Sequence, residues 1–408
     1  MIAPRFRRLR QALALLLALL AVPFAWSALK LARNGHPERW VPSYLADLAR
    51  GGRPGSERTT DLIFLLCDHW EPGSGQAGIR KAARWLERYK PIADRYHDTQ
   101  GRRFQYTWFY PIDNMEPAVL RLLARAASEG YGEIEVHWHH NHRSEEAFCA
   151  DLQAGLAQFT AVGALVAEPG AEPRWCFIHG NWALDGSVPK RCGMNRELTL
   201  LQRYGCYADL TFPAPGTTAQ PATINRIYYA QDDPRPRSYD KGVPATVGSH
   251  GEGLLMLPGP LGLDLRDPLI LIEHGVLDDA RGSGFSGRIL HPASGADYFS
   301  AHRVALWDDI HVCVAGRPEW CFVKIHAHGV QHRKILLGGE LAAMLDAVTA
   351  YCRQRGIRLH FVTAREACNL VWAAERGLTG DPTPYYDLVI PPPVNRRQVV
   401  AEPVSAHP

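Results

Sequence analysis

The densest group of ligand-type side chains in this 408-residue sequence is Val136-His137-Trp138-His139-His140-Asn141-His142. Positions 137–142 hold four of the chain's eighteen histidines, where an even spread would place about 0.26 in such a window. On an extended strand His137 and His139 project from one face, and neutral imidazoles are preferred ligands of zinc and similar divalent ions. An exposed histidine-rich loop is the plain alternative, and it weighs as much as ligation for His140 and His142. Two further segments repeat the pattern. Cys67-Asp68-His69-Trp70-Glu71 offers an acid, an imidazole and a second acid, and Ile325-His326-Ala327-His328-Gly329 offers two imidazoles at strand spacing. A carboxylate leaving an apolar run must be paired, protonated or on a metal. A fourth segment, His179-Gly180-Asn181-Trp182, adds polar groups in the same kind of position. One such histidine is ordinary in a core; three segments of this kind point to a shared centre.

The elements that carry these residues alternate. Strands are expected at 61–67, 104–110, 133–138 and 174–178, with helices at 78–96, 115–129, 144–166 and 195–204 between and after them. The rhythm fades between Phe212 and Arg303, where Pro, Gly and short apolar runs suggest hairpins. It returns with a strand at 320–326, a helix at 336–355, a strand at 358–363 and a helix at 365–376. Such βα units imply a mainly parallel sheet or barrel, in which sites sit at the carboxyl ends of strands. The histidine segments fall at those ends. The tail 377–408 is Pro-rich and expected to run extended over the surface or partly loose.

Composition excludes some classes. Forty-five Lys plus Arg against forty-two Asp plus Glu leave a net charge of +3, with no basic excess for a nucleic-acid surface. Nine cysteines without CxxC spacing form neither a zinc ribbon nor a simple disulfide scaffold. Cys67 adjoins Asp68 but lies in an apolar run where a thiol is buried and inert. Gly282-Ser283-Gly284-Phe285-Ser286-Gly287 has no strand before it and is no nucleophile elbow. At the N-terminus, Arg5, Arg7, Arg8 and Arg10 precede the uncharged segment 11–29. Nineteen residues at about 1.5 Å each reach nearly 30 Å, enough to cross a hydrocarbon core. The arginines orient residues 1–10 to the cytoplasm and the rest outward. A single-pass anchor in the cell membrane is expected, with a cleaved signal at Ala25-Trp26-Ser27 and secretion as the alternative; residues 30–60 read as a short helix and linker.

The order of segments resembles the polysaccharide deacetylase superfamily of divergent (β/α) barrels. The correspondence rests on Asp68 after the first strand, Thr107-Trp108-Phe109-Tyr110 at the second, Glu133-Ile134-Glu135-Val136-His137 at the third and Trp175 to Trp182 at the fourth. It continues through Gly205-Cys206-Tyr207-Ala208-Asp209, Ile325-His326, and Phe361 to Glu366. It covers about 61–376, with 212–303 as an unmatched insertion. Departures are plain: one Asp where the family has a pair, Asn141 four residues after His137 where its second histidine would stand, and His179-Gly180 in place of an Arg and Pro.

The resemblance implies a metal-dependent hydrolase that removes acyl, chiefly acetyl, groups from a glycan or glycolipid at the cell envelope. It implies one divalent ion, zinc by its imidazole ligands, held by Asp68, His137 and His139, with His142 the substitute second histidine. Asp68 or Glu71 would act as base; one Asp cannot readily be both ligand and base, so Glu71 or His69 takes one of the duties. His326 or His328 would be the acid. Trp70, Trp108, Tyr110, Trp138, His179, Asn181 and Trp182 flank these ends and would form the sugar-binding surface, although most aromatic residues are simply core. Two rivals stand beside this reading: an amidohydrolase-type barrel with more than one metal, drawing on His69, His140, His142, His179 and His328, and a barrel that binds a glycan without turning it over.

Overall fold

The computed structural model describes residues 36–49, 59–168, 170–262 and 301–396. The expected anchor or signal at 11–29 lies outside them, as do 263–300 of the insertion and the end of the tail. Among the described residues no helix is long and apolar enough to cross a membrane.

Helix α1 (Pro37–Ala49) precedes the alternating part of the chain. Strands and helices then follow as β1 (Asp61–His69), α2 (Gly75–Arg95), β2 (Tyr106–Pro111), α3 (Pro117–Ser128), β3 (Gly132–Trp138), α4 (Glu145–Ala161), β4 (Trp175–His179), α5 (Glu197–Arg203) and β5 (Cys206–Asp209). The insertion contributes short strands β6 (Tyr228–Ala230), β7 (Val243–Pro244) and β8 (Leu254–Met256). The second part comprises α6 (Ala301–Ile310), β9 (Trp320–Ala327), α7 (Leu341–Arg355), β10 (Arg358–Phe361) and α8 (Ala364–Glu375). Helix starts follow local chemistry: Pro117 opens α3 behind the Glu116 cap, Ser144 caps α4, and Thr363 and Glu366 form a reciprocal capping box on α8.

The ten strands among the described residues belong to one mixed sheet in the order β10-β1-β2-β3-β4-β5-β8-β6-β7, with β9 also on β1. β9 runs along one edge of β1 over Asp61–Asp68; the other edge is shared by β10 over the first four residues and β2 over the last three. Pairings are parallel except where β6 meets β7 and β8. The sequence suggests a barrel; among the described residues no ladder joins β7 to β9. That interval is crossed by a non-strand stretch that takes one bond from β9, Phe322 N–H to the Val312 carbonyl, and forms an isolated bridge past β7, Ala315 N–H to the Ala245 carbonyl and Val247 N–H to the Ala315 carbonyl.

The register fixes which side chains share a face. Ile63, Leu65 and Cys67 of β1, Phe109 of β2, Ile178 of β4 and Phe322 of β9 join one apolar cluster with α8. Leu62, Phe64, Leu66, Trp70, Trp108, Tyr110 and Val136 join the other, with Trp85 and Tyr89 of α2 and Leu123 of α3. Both faces are covered, and every residue of β1, β2 and β3 is buried, as parallel sheets require. The tail up to residue 396 is tied down. Arg365 and Asn369 both donate to the Tyr386 and Ile390 carbonyls, and Arg396 reaches Glu133, which also pairs with Arg365 at 2.8 Å.

Candidate functional site

Side chains alternate along a strand, so His69 and Asp68 leave β1 on opposite faces. His69 has the parity of Cys67 and meets His137 of β3, the two rings 4.6 Å apart and edge to face. Asp68 has the parity of Leu66 and turns toward α2. Its carboxylate accepts from the Tyr106 hydroxyl at 2.6 Å and from the Gly329 N–H at 2.7 Å. Burial pushes its pKa up to about 7 in spite of those two bonds. A Cβ on Gly329 would stand 2.3 Å from the Asp68 carboxylate, so only glycine allows this approach. The expected set Asp68, His137 and His139 is therefore corrected: Asp68 does not join the histidines, because the sheet's pleat sends it to the other side.

What does converge is His69, Glu71 and His137, whose ligand atoms all lie within 4.8 Å of one another. Glu71, just past the end of β1, places Oε1 2.8 Å from His137 Nε2 and 3.3 Å from His139 Nε2, while Gln331 donates to Oε2 at 2.9 Å. The two imidazole contacts hold Glu71 far below the ordinary carboxylate range against the opposing effect of burial. His137 Nδ1 lies 3.0 Å from the Ile178 carbonyl, which can only accept, so that nitrogen carries the proton. Its ring is fully buried, and burial disfavours a second proton. With the ring neutral, its bare Nε2 would meet that carboxylate at 2.8 Å as one acceptor against another, a contact that a shared proton or a cation must bridge. A cation between them resolves the conflict, and a carbonyl behind Nδ1 is how metal-binding histidines are oriented. His69 is 1 % exposed, and neither ring nitrogen has a hydrogen-bond partner. Burial and the neighbouring His137 hold it neutral, which is the ligating form. Ligands about 2.1 Å from a tetrahedral ion stand about 3.4 Å apart, so this set fits a zinc-type ion with small adjustments.

The remaining groups form a ring around this point. His139 lies between two acids: its backbone N–H donates to Asp113 Oδ1 at 2.9 Å, its Nδ1 is 3.3 Å from Asp113, and its Nε2 faces Glu71. Burial works to lower its pKa, but the two carboxylates prevail and raise it to about 9. Trp182, in the left-handed region at φ 52°, stacks on His69 at 4.4 Å. His328 lies 4.7 Å from His69, and His326 lies 4.8 Å from Trp182. Gly180 makes room for His139, since a Cβ there would be 2.2 Å from the ring.

Other expected site residues lie elsewhere. His142 bonds Asp151 at 2.8 Å and packs by Trp138 and Phe148, outside the cluster. Trp70, Trp108 and Tyr110 are fully buried against the helices; their strand parity turns them from the site, so the sugar-binding role expected of them is corrected to a core role. His179 and Asn181 are committed to the loop after β4: Asn181 N–H donates to His179 Nδ1, and Asn181 Nδ2 donates to the carbonyls of His140 and Arg191. A cleft of about 570 Å³ opens beside His139, lined by Asp113, Trp138, Asn141, His142, Asp151 and Gln158. A larger one, about 650 Å³, lies at the opposite end of the sheet around Tyr229, His250 and Glu375. Sequence reasoning passed over Asp113 and Gln331, which stand alone in loops without a motif.

No family model matches the chain, and no curated protein matches it. A solved structure similar to it in part is that of a Parabacteroides distasonis protein provisionally named a glycoside hydrolase/deacetylase. The two share 12 % identity over 77 % of this chain and 72 % of that one, with a TM-score of 0.40.

Proposed function

We propose that this chain is a metal-dependent hydrolase that removes acyl groups, acetyl foremost, from a glycan or glycolipid at the cell envelope. The observation that carries the reading is the convergence of His137 Nε2 and Glu71 Oε1, 2.8 Å apart, beside a buried His69 with both nitrogens free of partners. His69, Glu71 and His137 would hold one divalent ion, zinc by its donors. Such an ion supplies Lewis acidity toward an acyl oxygen and acidifies water. His139, kept protonated between Asp113 and Glu71, is placed to give a proton to a leaving amine or alcohol. His328, half-buried beside His69, faces the same space and can take one up. The stacked ring of Trp182 covers His69 and keeps bulk water from it.

The substrate class is supported by the cleft beside His139, where the polar groups of Asp113, Asn141, Asp151 and Gln158 offer hydroxyl-binding partners. The envelope location is supported by the arginine-led apolar segment 11–29. Acetate release from acetylated oligosaccharides tests the reading. We expect turnover by the protein as purified, loss after chelation, recovery with zinc, and none in His137→Ala. Turnover that chelation leaves untouched would overturn it.

A further inference from the structure

A second group of donors lies behind the first, on the other face of the sheet. His140 follows β3, His179 ends β4, Cys192 sits in the long loop after β4, and Glu197 opens α5. All four are at most 2 % exposed, and one ligand atom from each lies within 4.8 Å of the others. Glu197 is the hub: Oε1 is 2.7 Å from His140 Nε2, and Oε2 is 2.7 Å from Cys192 Sγ and accepts from the Asp185 N–H at 2.6 Å.

Three details separate this group from an ordinary buried network. The sulfur stands closer to the carboxylate oxygen than the larger radius of a thiol suits. That same sulfur accepts the Gly186 N–H at 3.4 Å, so the loop backbone orients it toward Glu197. His179, wholly buried, has an Nε2 without a partner, the nearest carboxylate oxygen being 4.0 Å away. Since the Asn181 N–H donates to its Nδ1, the neutral ring carries its proton on that stranded Nε2.

We propose that His140, Cys192 and Glu197 hold a second, structural divalent ion of zinc type, with His179 Nε2 closing the fourth position once the Asn181 amide releases Nδ1. A thiolate, imidazoles and a carboxylate form a zinc-type donor set, and a sealed set of four marks a structural rather than a catalytic ion. Its task is visible in the loop it ties down. Trp182 holds a positive φ of 52°, a conformation that persists in a bulky residue only when the surroundings enforce it. Trp182 is the ring stacked on His69, so the ion sets one wall of the hydrolytic centre.

Cobalt discriminates the two centres, because only this one contains a thiol. The full chain loaded with cobalt is expected to show the near-ultraviolet thiolate-to-cobalt charge-transfer band. Cys192→Ser should remove the band together with one equivalent of metal, while His137→Ala should remove a different equivalent and keep the band. His140→Gln, which preserves size, should weaken the band and serves where the serine variant does not fold. A wild-type protein without the band, or a band that survives Cys192→Ser, would overturn the proposal. Neither result bears on the ion at His69, Glu71 and His137.

Discussion

Glu135 stands two residues before His137 and therefore on the same face of β3, in the dry floor beneath the site. It is 4 % exposed, accepts the Cys176 N–H at 2.8 Å and bonds the Tyr207 hydroxyl at 2.7 Å. Burial outweighs those bonds and raises its pKa from 4.5 to about 8. The sign follows from linkage. A carboxyl with a raised folded pKa contributes its full stability below the unfolded pKa and loses it as pH climbs through the folded one. At about 1.4 kcal/mol per tenfold change in proton affinity, the loss for a shift from 4.5 to about 8 is on the order of 5 kcal/mol. Glu135→Gln keeps the shape, the acceptor toward Cys176 and a donor toward Tyr207, and cannot ionise. Urea unfolding of both proteins at intervals from pH 5 to 9 should show near-equal stability at the acid end, an advantage for the glutamine variant that grows up to about pH 8, and a plateau above it. The difference cancels other titrating groups. Parallel curves across that range would mean Glu135 does not face a dry interior, and the parity that turns His137 inward would fall with it.

Three further outcomes follow from contacts around the site. Asp68→Ala leaves the Gly329 N–H and Tyr106 hydroxyl unpaired and should cost about 2–5 kcal/mol, whereas Asp68→Asn, which can still serve both, should cost about 1 kcal/mol; denaturant midpoints check this. Gly180→Ala should fold with a loss of about 1–3 kcal/mol but push the His139 ring off Glu71, lowering kcat/KM for acyl release about tenfold or more. Deleting residues 1–29 should shift the protein from the membrane fraction to the soluble one; retention there would remove the anchor from the account.

The alternation of strands and helices was legible because apolar runs and helical spacing do not depend on partners. The tail's end point was not, since its anchors Arg365, Asn369 and Glu133 are distant in sequence. Within the site, His137 and Glu71 were legible as ligand types at a strand end. The choice between Asp68 and His69 was not. β1 is buried on both faces, so its sequence is a continuous apolar run with no polar alternation to reveal which parity faces the centre. That information resides in the register with β2 and β9. Trp108 and Tyr110 misled for the same reason, as aromatic residues at a strand end look alike whether they meet a ligand or a helix. Cys192 and Glu197 carried no signal at all, because a lone Cys and a lone Glu acquire meaning only once the loop after β4 folds back on His140.

Metal content of three single variants measured beside the wild type tests the centre most directly. His69→Ala and His137→Ala should each lose one equivalent of tightly bound zinc, and Asp68→Asn should lose none while remaining folded. Loss of that equivalent from Asp68→Asn, with both histidine variants retaining it, would contradict the account.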